Sequence, residues 1–168
     1  MDQHVSERAN TRRRWLTREW SRRAADRGGR APHSQRYTIG GMMVFPGNRI
    51  DGKWTIYQAR GCTRKVGDRF DLTLEGIRRH YNKGDSPLSS VLARYATFFE
   101  LFHGSRGYVD FFLLQDLVVA DGSAVKIALP FDDFRGSPIP GSVEEYRLYK
   151  NEATAFIEAR NRRMLHSL

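Results

Sequence analysis

Charged side chains are concentrated between residues 55 and 81, in the stretch TIYQARGCTRKVGDRFDLTLEGIRRHY, which holds five arginines, one lysine and three carboxylates. Arginine forks match the oxygens of a phosphate group, and the start of a helix adds backbone N–H donors, so this stretch could bind a phosphate. Nearby amide side chains could contact a base or a ribose. The candidate ligand-binding residues are Arg49, Gln58, Arg60, Arg64 and Arg69. The alternative is that these arginines pair with neighbouring aspartates and have a structural role.

Three carboxylates of the same stretch, Asp68, Asp71 and Glu75, fall on one side of a predicted helix, where they could hold a divalent metal ion. Glu75 also lies three and four residues before Arg78 and Arg79, the favourable order for ion pairs along a helix. Asp68 stands where a helix cap is expected. We therefore interpret this face as a set of paired charges, and we predict no metal site and no cofactor.

Metal-free cleavage of RNA needs only well-placed arginine, histidine or glutamate side chains. The candidate catalytic residues for such a reaction are Arg60, Glu75 and His80. His80 lies near the end of a predicted helix, where a favourable interaction with the helix dipole is the alternative explanation. The single cysteine, Cys62, is flanked by Arg60 and Arg64, but the sequence shows no partner base for it.

Short strands and longer helices are the elements that would position these residues. The stretch YTIGGMMVFPGNRIDGKWTIYQARG predicts two strands joined by a turn, which is a β-hairpin over about residues 37–59. A second hairpin is predicted over about residues 116–130, because apolar runs flank a turn that contains Asp121 and Gly122. Between them, residues 108–114 fit either a short buried helix or a strand.

Three main helices are predicted, at about residues 69–82, 87–103 and 143–164. Ser86 and Pro87 suit the first positions of the second helix. Ser142 and Glu145 form a capping box at the start of the third. Because the strands are few and paired locally, the sequence predicts the α+β class.

The 168 residues, 40% of them apolar, suffice for one domain with a core. Residues 1–36 contain ten arginines, no lysine and four acidic residues, and so carry six of the nine net positive charges. We expect this segment to be disordered or to form one amphipathic helix, over about residues 11–27. It could be an arm that binds nucleic acid or a membrane, a docked helix, or a mis-assigned start of the reading frame. Residues 37–168 are predicted to form a single α+β domain.

Several sequence blocks occur together in one order. They are GGMMVFPGNRIDGKWTIYQARG, DRFDLTLEGIRRHY, GYVDFFLLQDLV, LPFDDF and FIEARNRR. With these blocks, residues 38–164 resemble an uncharacterised bacterial protein family, a domain of unknown function. The resemblance implies a bacterial intracellular protein, and it supplies no reaction, cofactor or catalytic residue. Family members have a longer and less arginine-rich section before the GG…FP block, which implies that this chain is truncated at its N-terminus.

The longest apolar run, FFLLQDLVVA, is interrupted by polar residues and is shorter than the roughly 20 residues of a membrane-spanning helix. A single cysteine excludes an internal disulfide and favours a reducing compartment. We therefore predict a cytoplasmic protein without a membrane partner. The predicted function is binding of a phosphate-bearing ligand, RNA or a nucleotide, at the arginine-rich junction. The alternatives are a nucleic-acid-processing enzyme, such as a nuclease or toxin, and a non-catalytic module that binds a protein partner.

Overall fold

The computed structural model describes residues 38–167, and this part of the chain is helical. Its helices are Ile56–Cys62 (α1), Phe70–Tyr81 (α2), Ser89–Arg94 (α3), Ala96–Glu100 (α4), Ser105–Phe111 (α5) and Val143–His166 (α6). Two 3-10 helices, Ile39–Gly41 and Gln115–Leu117, complete the regular structure. Within residues 38–167, β-structure is limited to one antiparallel bridge between Val118 and Val125. The predicted α+β class is therefore wrong.

In place of the first predicted hairpin, over about residues 37–59, the chain forms the 3-10 helix Ile39–Gly41, an irregular segment with a turn at Asp51 and Gly52, and helix α1. Thr55 and Gln58 explain the difference, because together they form a capping box. The Thr55 hydroxyl accepts from the backbone N–H of Gln58 at 3.3 Å, and the Gln58 side-chain oxygen accepts from the backbone N–H of Thr55 at 3.0 Å. The sequence TIYQ has the Thr-x-x-Gln spacing of that motif, which outweighs the strand preference of Ile56 and Tyr57.

The second predicted hairpin, over about residues 116–130, is also absent as a pair of strands. The backbone N–H of Lys126 donates to the carbonyl of Leu117 at 2.8 Å, so the two arms do meet briefly. The pairing stops there, because the backbone N–H of Ala128 donates instead to the carboxylate of Asp71 at 3.0 Å. A buried side chain on α2 thus takes the donor that a second strand would have needed.

The predicted helices are present, with one interruption. Helices α2 and α6 occupy the ranges predicted at about 69–82 and 143–164, and the Ser142 hydroxyl caps α6 by accepting from the N–H of Glu145 at 3.1 Å. The helix predicted at about 87–103 is divided into α3 and α4 at Tyr95 (φ −108°, ψ 26°). The buried Tyr95 donates its hydroxyl to the carbonyl of Asn48 at 2.7 Å, so a tertiary contact accompanies the break.

Helix α2 lies at the centre of the core, since all residues from Asp71 to Ile77 are buried. Aromatic rings of α4, of α5 and of the turn between them pack next to it, and Tyr108 contacts both Phe99 and Phe102. Helix α6 is fixed to the rest by Arg160, whose guanidinium donates to three backbone carbonyls of two other segments. The core therefore holds charged side chains as well as apolar ones.

The arginine-rich segment 1–36 and the helix predicted within it lie outside the described residues. Among residues 38–167, no helix combines the length and the apolar composition needed to cross a membrane. The cytoplasmic location and the division into an N-terminal segment and a single domain stay predictions.

Candidate functional site

The two charged side chains at the start of α2 are buried and bound to each other. Arg69 donates to both carboxylate oxygens of Asp71, at 3.0 and 2.5 Å, and to the carbonyl of Pro138 at 3.1 Å. Its guanidinium lies over the ring of Tyr149 on α6, 5.1 Å from the ring centroid. Asp71 also accepts from the N–H of Ala128. The Arg69–Asp71 pair therefore joins the start of α2 to the segments that contain Ala128 and Pro138. It is an internal link of the fold.

Arg60 is similarly internal. Its Nε donates to the hydroxyl of Thr73 at 3.1 Å, and its terminal nitrogens contact the carbonyl and carboxylate of Asp68 at 3.1 and 3.3 Å. The guanidinium also lies 5.5 Å from the ring centroid of Phe70. Burial lowers the pKa of the Arg60 guanidinium below its usual value. Asp68 pairs with Arg60, whereas the N-cap residue of α2 is Arg69, whose side chain makes no capping hydrogen bond. The prediction that Asp68 caps the helix is therefore wrong.

Glu75 is the centre of a three-residue charge cluster on α2. Arg78 donates to both of its oxygens, at 2.8 and 2.9 Å, and Arg79 donates to one at 2.7 Å, so the predicted ion pairs are confirmed. Burial alone would raise the pKa of the Glu75 carboxyl, but the two arginines outweigh burial and lower it. Arg79 continues the cluster by donating to Asp133 at 2.5 Å and lying over the Phe134 ring.

The five predicted ligand-binding residues fall into three environments. Arg60 and Arg69 are buried, with their donors directed at protein acceptors. Gln58 is part of the capping box of α1. Arg49 and Arg64 are exposed, with no ion pair or hydrogen bond of their side chains among residues 38–167. None of the five lines the cavity between α2 and α5 or the groove along α6.

The candidate catalytic residues Arg60, Glu75 and His80 do not form a common hydrogen-bonded group within the described residues. His80 contacts the rings of Tyr81 and Phe99, with centroid distances of 5.9 and 5.2 Å, and desolvation lowers the pKa of its imidazole. Across residues 38–167, no cluster of three histidine, cysteine, aspartate or glutamate side chains has the geometry of a metal site. The carboxylates of α2 act instead as partners of arginines.

A small cavity of about 130 Å³ lies between α2 and α5. Its polar lining consists of Arg78, Ser105, Arg106, Asp110 and Gln115. Apolar walls come from α2, α5 and the Val118–Val125 bridge. Two arginines from different helices therefore line one partly apolar space.

The sequence did not predict that Arg78 and Arg106 line the same cavity, because no local signal relates the two residues. Arg78 is explained by its pairing to Glu75, and Arg106 precedes an apolar run without any motif around it. The two residues are 28 positions apart on separate helices, so neither helical periodicity nor strand alternation connects them. Only the packing of α5 against α2 brings them to the same cavity.

A longer groove of about 510 Å³ runs between α6 and the segment 116–128. Its apolar lining includes Phe70, Leu117, Ile127, Leu148 and Phe156. The Val118–Val125 bridge is the wall common to both spaces, because neighbouring residues of an extended chain point to opposite sides. Val118 and Val125 line the small cavity, whereas Leu117 and Lys126 line the groove.

Large apolar side chains are also exposed near the start of the described chain. They are Ile39, Met42, Val44, Trp54 and Tyr57, with Ile39 the most exposed, at 65%. Exposed apolar clusters often mark sites of contact with other molecules. This is the feature that the protein-interaction alternative requires.

Comparison with known proteins identifies a family for this chain. The sequence profile of a family of unknown function, DUF6994, matches residues 2–164, a range that includes nearly all of the arginine-rich segment. No curated protein and no solved structure matches the chain. The chain therefore belongs to DUF6994, a family to which no function is assigned.

Proposed function

We propose that this protein binds a phosphate-bearing ligand in the small cavity between α2 and α5. The observation that carries the proposal is that Arg78 and Arg106, from different helices, line the same space of about 130 Å³. Planar guanidinium forks donate to phosphate oxygens in a bidentate manner, and two of them on one cavity favour an anion.

Each arginine has donors to offer a ligand. Arg78 uses Nε and Nη2 for Glu75, and its Nη1 has no acceptor among residues 38–167. The hydrogen bonds from Arg78 to Glu75 raise the pKa of the guanidinium, so it is charged at any physiological pH. Arg106 is well exposed, and the carboxylate of Asp110 lies 3.8 Å from its Nε, beyond hydrogen-bonding distance.

The size and lining of the cavity restrict the ligand. A space of this volume accommodates one phosphate group together with a small apolar portion, which would contact Leu74 and Val109. The rest of a larger ligand would extend outward past Arg106. A mononucleotide and a terminal phosphate of RNA share this chemistry, and titration with each of them separates the two.

The test is isothermal titration calorimetry of the full chain with inorganic phosphate, a mononucleotide and a short 5′-phosphorylated single-stranded RNA. Arg106→Ala should weaken binding of phosphate-bearing ligands about tenfold, the size expected for a lost charge-assisted hydrogen bond. Asp110→Asn should strengthen binding, because it removes the one negative charge that the described residues contribute to the lining. RNA binding that exceeds mononucleotide binding and that weakens with Arg106→Ala would identify RNA as the ligand of the cavity.

Matched variants make the result specific. Arg147→Ala removes an exposed arginine of α6 that lines neither cavity, and it should leave binding unchanged. The double variant Arg49→Ala/Arg64→Ala tests the two exposed residues of the arginine-rich junction. If this double variant loses phosphate binding while Arg106→Ala retains it, the ligand binds at the junction and the cavity proposal is wrong.

A further inference from the structure

The groove along α6 is a second, separate space with its own polarity. The α6 residues that line it extend from Leu148 to Arg162, a length of about 21 Å at 1.5 Å per residue. The opposite wall is formed by residues 116–117 and 126–128, and Phe70 and Asp71 at the start of α2 also line the groove. Its volume of about 510 Å³ is in the range of small-molecule sites.

Among the described residues, the cations that line this groove, Lys126 and Arg162, lie at one end. Lys126 lies beside Leu117, to whose carbonyl its backbone N–H donates at 2.8 Å. Leu117 follows Asp116, which pairs with Arg163, so this part of the wall lies against the end of α6 that contains Arg162. Lys126 and Arg162 are both exposed, and neither side chain has a hydrogen bond or ion pair within residues 38–167.

The other end of the groove is aromatic, and the charge found there is balanced. Tyr149 lies at this end, next to Asp71, whose charge is offset by the bidentate contact from Arg69. Burial raises the pKa of Tyr149 to about 12, so its hydroxyl stays protonated near neutral pH. Apolar side chains, among them Ile127 and Phe156, line the intervening length.

The carboxylates that line the groove do not neutralise Lys126 and Arg162. Asp71 and Asp116 are each held by an arginine, Arg69 and Arg163 respectively. Glu152 is the remaining carboxylate of the lining, and it lies on α6 between the two ends. Among residues 38–167, two cations without a side-chain partner at one end of the groove therefore face one acid, Glu152, along its side.

We propose that this groove binds an elongated single-chain amphiphile with an anionic head, such as a fatty acid or an alkyl phosphate. The head meets Lys126 and Arg162, and the chain lies along the apolar walls toward Tyr149 and Phe70. Charge complementarity selects the head, and burial of successive methylene groups supplies the affinity for the chain. The site shares no lining residue with the cavity of Arg78 and Arg106.

The experiment measures displacement of a fluorescent long-chain fatty acid from the full-length protein, below the critical micelle concentration of each competitor. Dodecanoate and dodecyl phosphate should both displace the probe, and octanoate should do so several-fold less well because it buries fewer methylene groups. Dodecyltrimethylammonium, which has the same chain and a cationic head, should bind at least about tenfold more weakly.

Two variants place the binding in the groove. Lys126→Glu/Arg162→Glu should weaken dodecanoate binding at least about tenfold relative to Arg147→Glu/Lys150→Glu, a control with the same change in net charge on exposed residues outside the groove. Ala155→Trp should also weaken binding, by filling the apolar part of the groove. Circular dichroism confirms that each variant is folded.

The proposal is overturned by any of three results. The probe is not displaced by either dodecyl anion, the cationic amphiphile competes equally well, or the groove charge reversal binds dodecanoate as tightly as its control. Phosphate binding by Arg106 is measured separately, so failure of either proposal leaves the other intact.

Discussion

Several arginines of this protein are buried and have a structural role. Arg160 is 1% exposed and donates to the carbonyls of Phe112, Gly40 and Met42, at 2.9, 3.1 and 2.5 Å. Its planar fork reaches several acceptors at once, which a lysine cannot do in the same way. Arg60 and Arg69 are buried with comparable networks. A high arginine content is thus partly explained by packing, and the charge count overstates the positive surface offered to a partner.

The Glu75 carboxylate should make the stability of the fold depend on pH. Because the folded protein lowers the pKa of its carboxyl, the ionised form stabilises the fold above the unfolded pKa of about 4.5, and this contribution is lost as the pH falls through the folded value. Glu75→Gln should therefore lower the free energy of unfolding at pH 7, by about 2 kcal/mol, since two charge-assisted hydrogen-bond partners lose their acceptor charge.

Urea denaturation at pH 7 and at pH 3 measures this effect. The difference between the wild type and Glu75→Gln should narrow at pH 3, where the wild-type carboxyl becomes protonated to a greater extent. Glu100→Gln makes the same chemical change at an exposed position of α4 and should have little effect at either pH. An equal loss at both values of pH would contradict the assigned role of the ionised carboxylate.

The predicted helices formed where the sequence contains strong local signals, whereas the first hairpin failed because a local capping signal was overlooked and the second because a tertiary contact decided. The periodicity of α2 and the capping serine of α6 are visible in the sequence. The capping box of Thr55 and Gln58 is also present in the letters, but the β-branched and aromatic residues between them suggest a strand. The second hairpin failed for a different reason, since the donor of Ala128 is taken by Asp71, 57 positions earlier.

The 3-10 helix Ile39–Gly41 approaches α6 closely at Gly40, so the stability of the protein should depend on the size of the residue at this position. A Cβ at Gly40 would lie 2.5 Å from the side-chain oxygen of Asn161 and 2.7 Å from the carbonyl of Ile157. Gly40→Ala should therefore push the two elements apart and cost about 1 to 3 kcal/mol of unfolding free energy, as overpacking does.

Gly47→Ala is the matched control, because a Cβ there meets nothing within 4 Å. Its effect should be within about 0.5 kcal/mol of the wild type. Thermal or urea unfolding of the two variants makes the comparison. Equal stability of Gly40→Ala and Gly47→Ala would show that the approach to α6 adjusts without cost.

At the scale of the whole molecule, the net charge and the candidate sites are largely separate features. Six of the nine net positive charges belong to residues 1–36, whereas the cavity and the groove are formed by residues between 70 and 162. Non-specific attraction to polyanions and recognition of one phosphate are therefore expected to depend on different residues. The first depends strongly on salt because it releases counterions.

Replacing three arginines of the first segment separates the two kinds of binding. Arg12→Gln/Arg13→Gln/Arg14→Gln should flatten the dependence of RNA affinity on salt, by up to about 0.7 in slope for each RNA phosphate that these arginines neutralise in the wild type. Binding of inorganic phosphate to the cavity should be unchanged. Fluorescence anisotropy across a salt series measures the slope.

The control for this experiment is Arg135→Gln/Arg147→Gln/Lys150→Gln, which removes the same charge from exposed positions of the described part. An unchanged slope in the first triple variant, or an equal change in the control, would mean that residues 12–14 do not contact RNA specifically.

The sequence alone determined the positions of α2 and α6, the ion pairs of Glu75 with Arg78 and Arg79, and membership of a recognisable family. These features depend on spacing within one helix or on local capping, which the order of residues shows directly. Tertiary structure decided that Arg60 and Arg69 are buried, and that Arg78 and Arg106 line the same cavity from two helices. Burial and contacts between distant segments cannot be recognised from neighbouring residues in the sequence, because the packing of the helices determines which residues a side chain contacts.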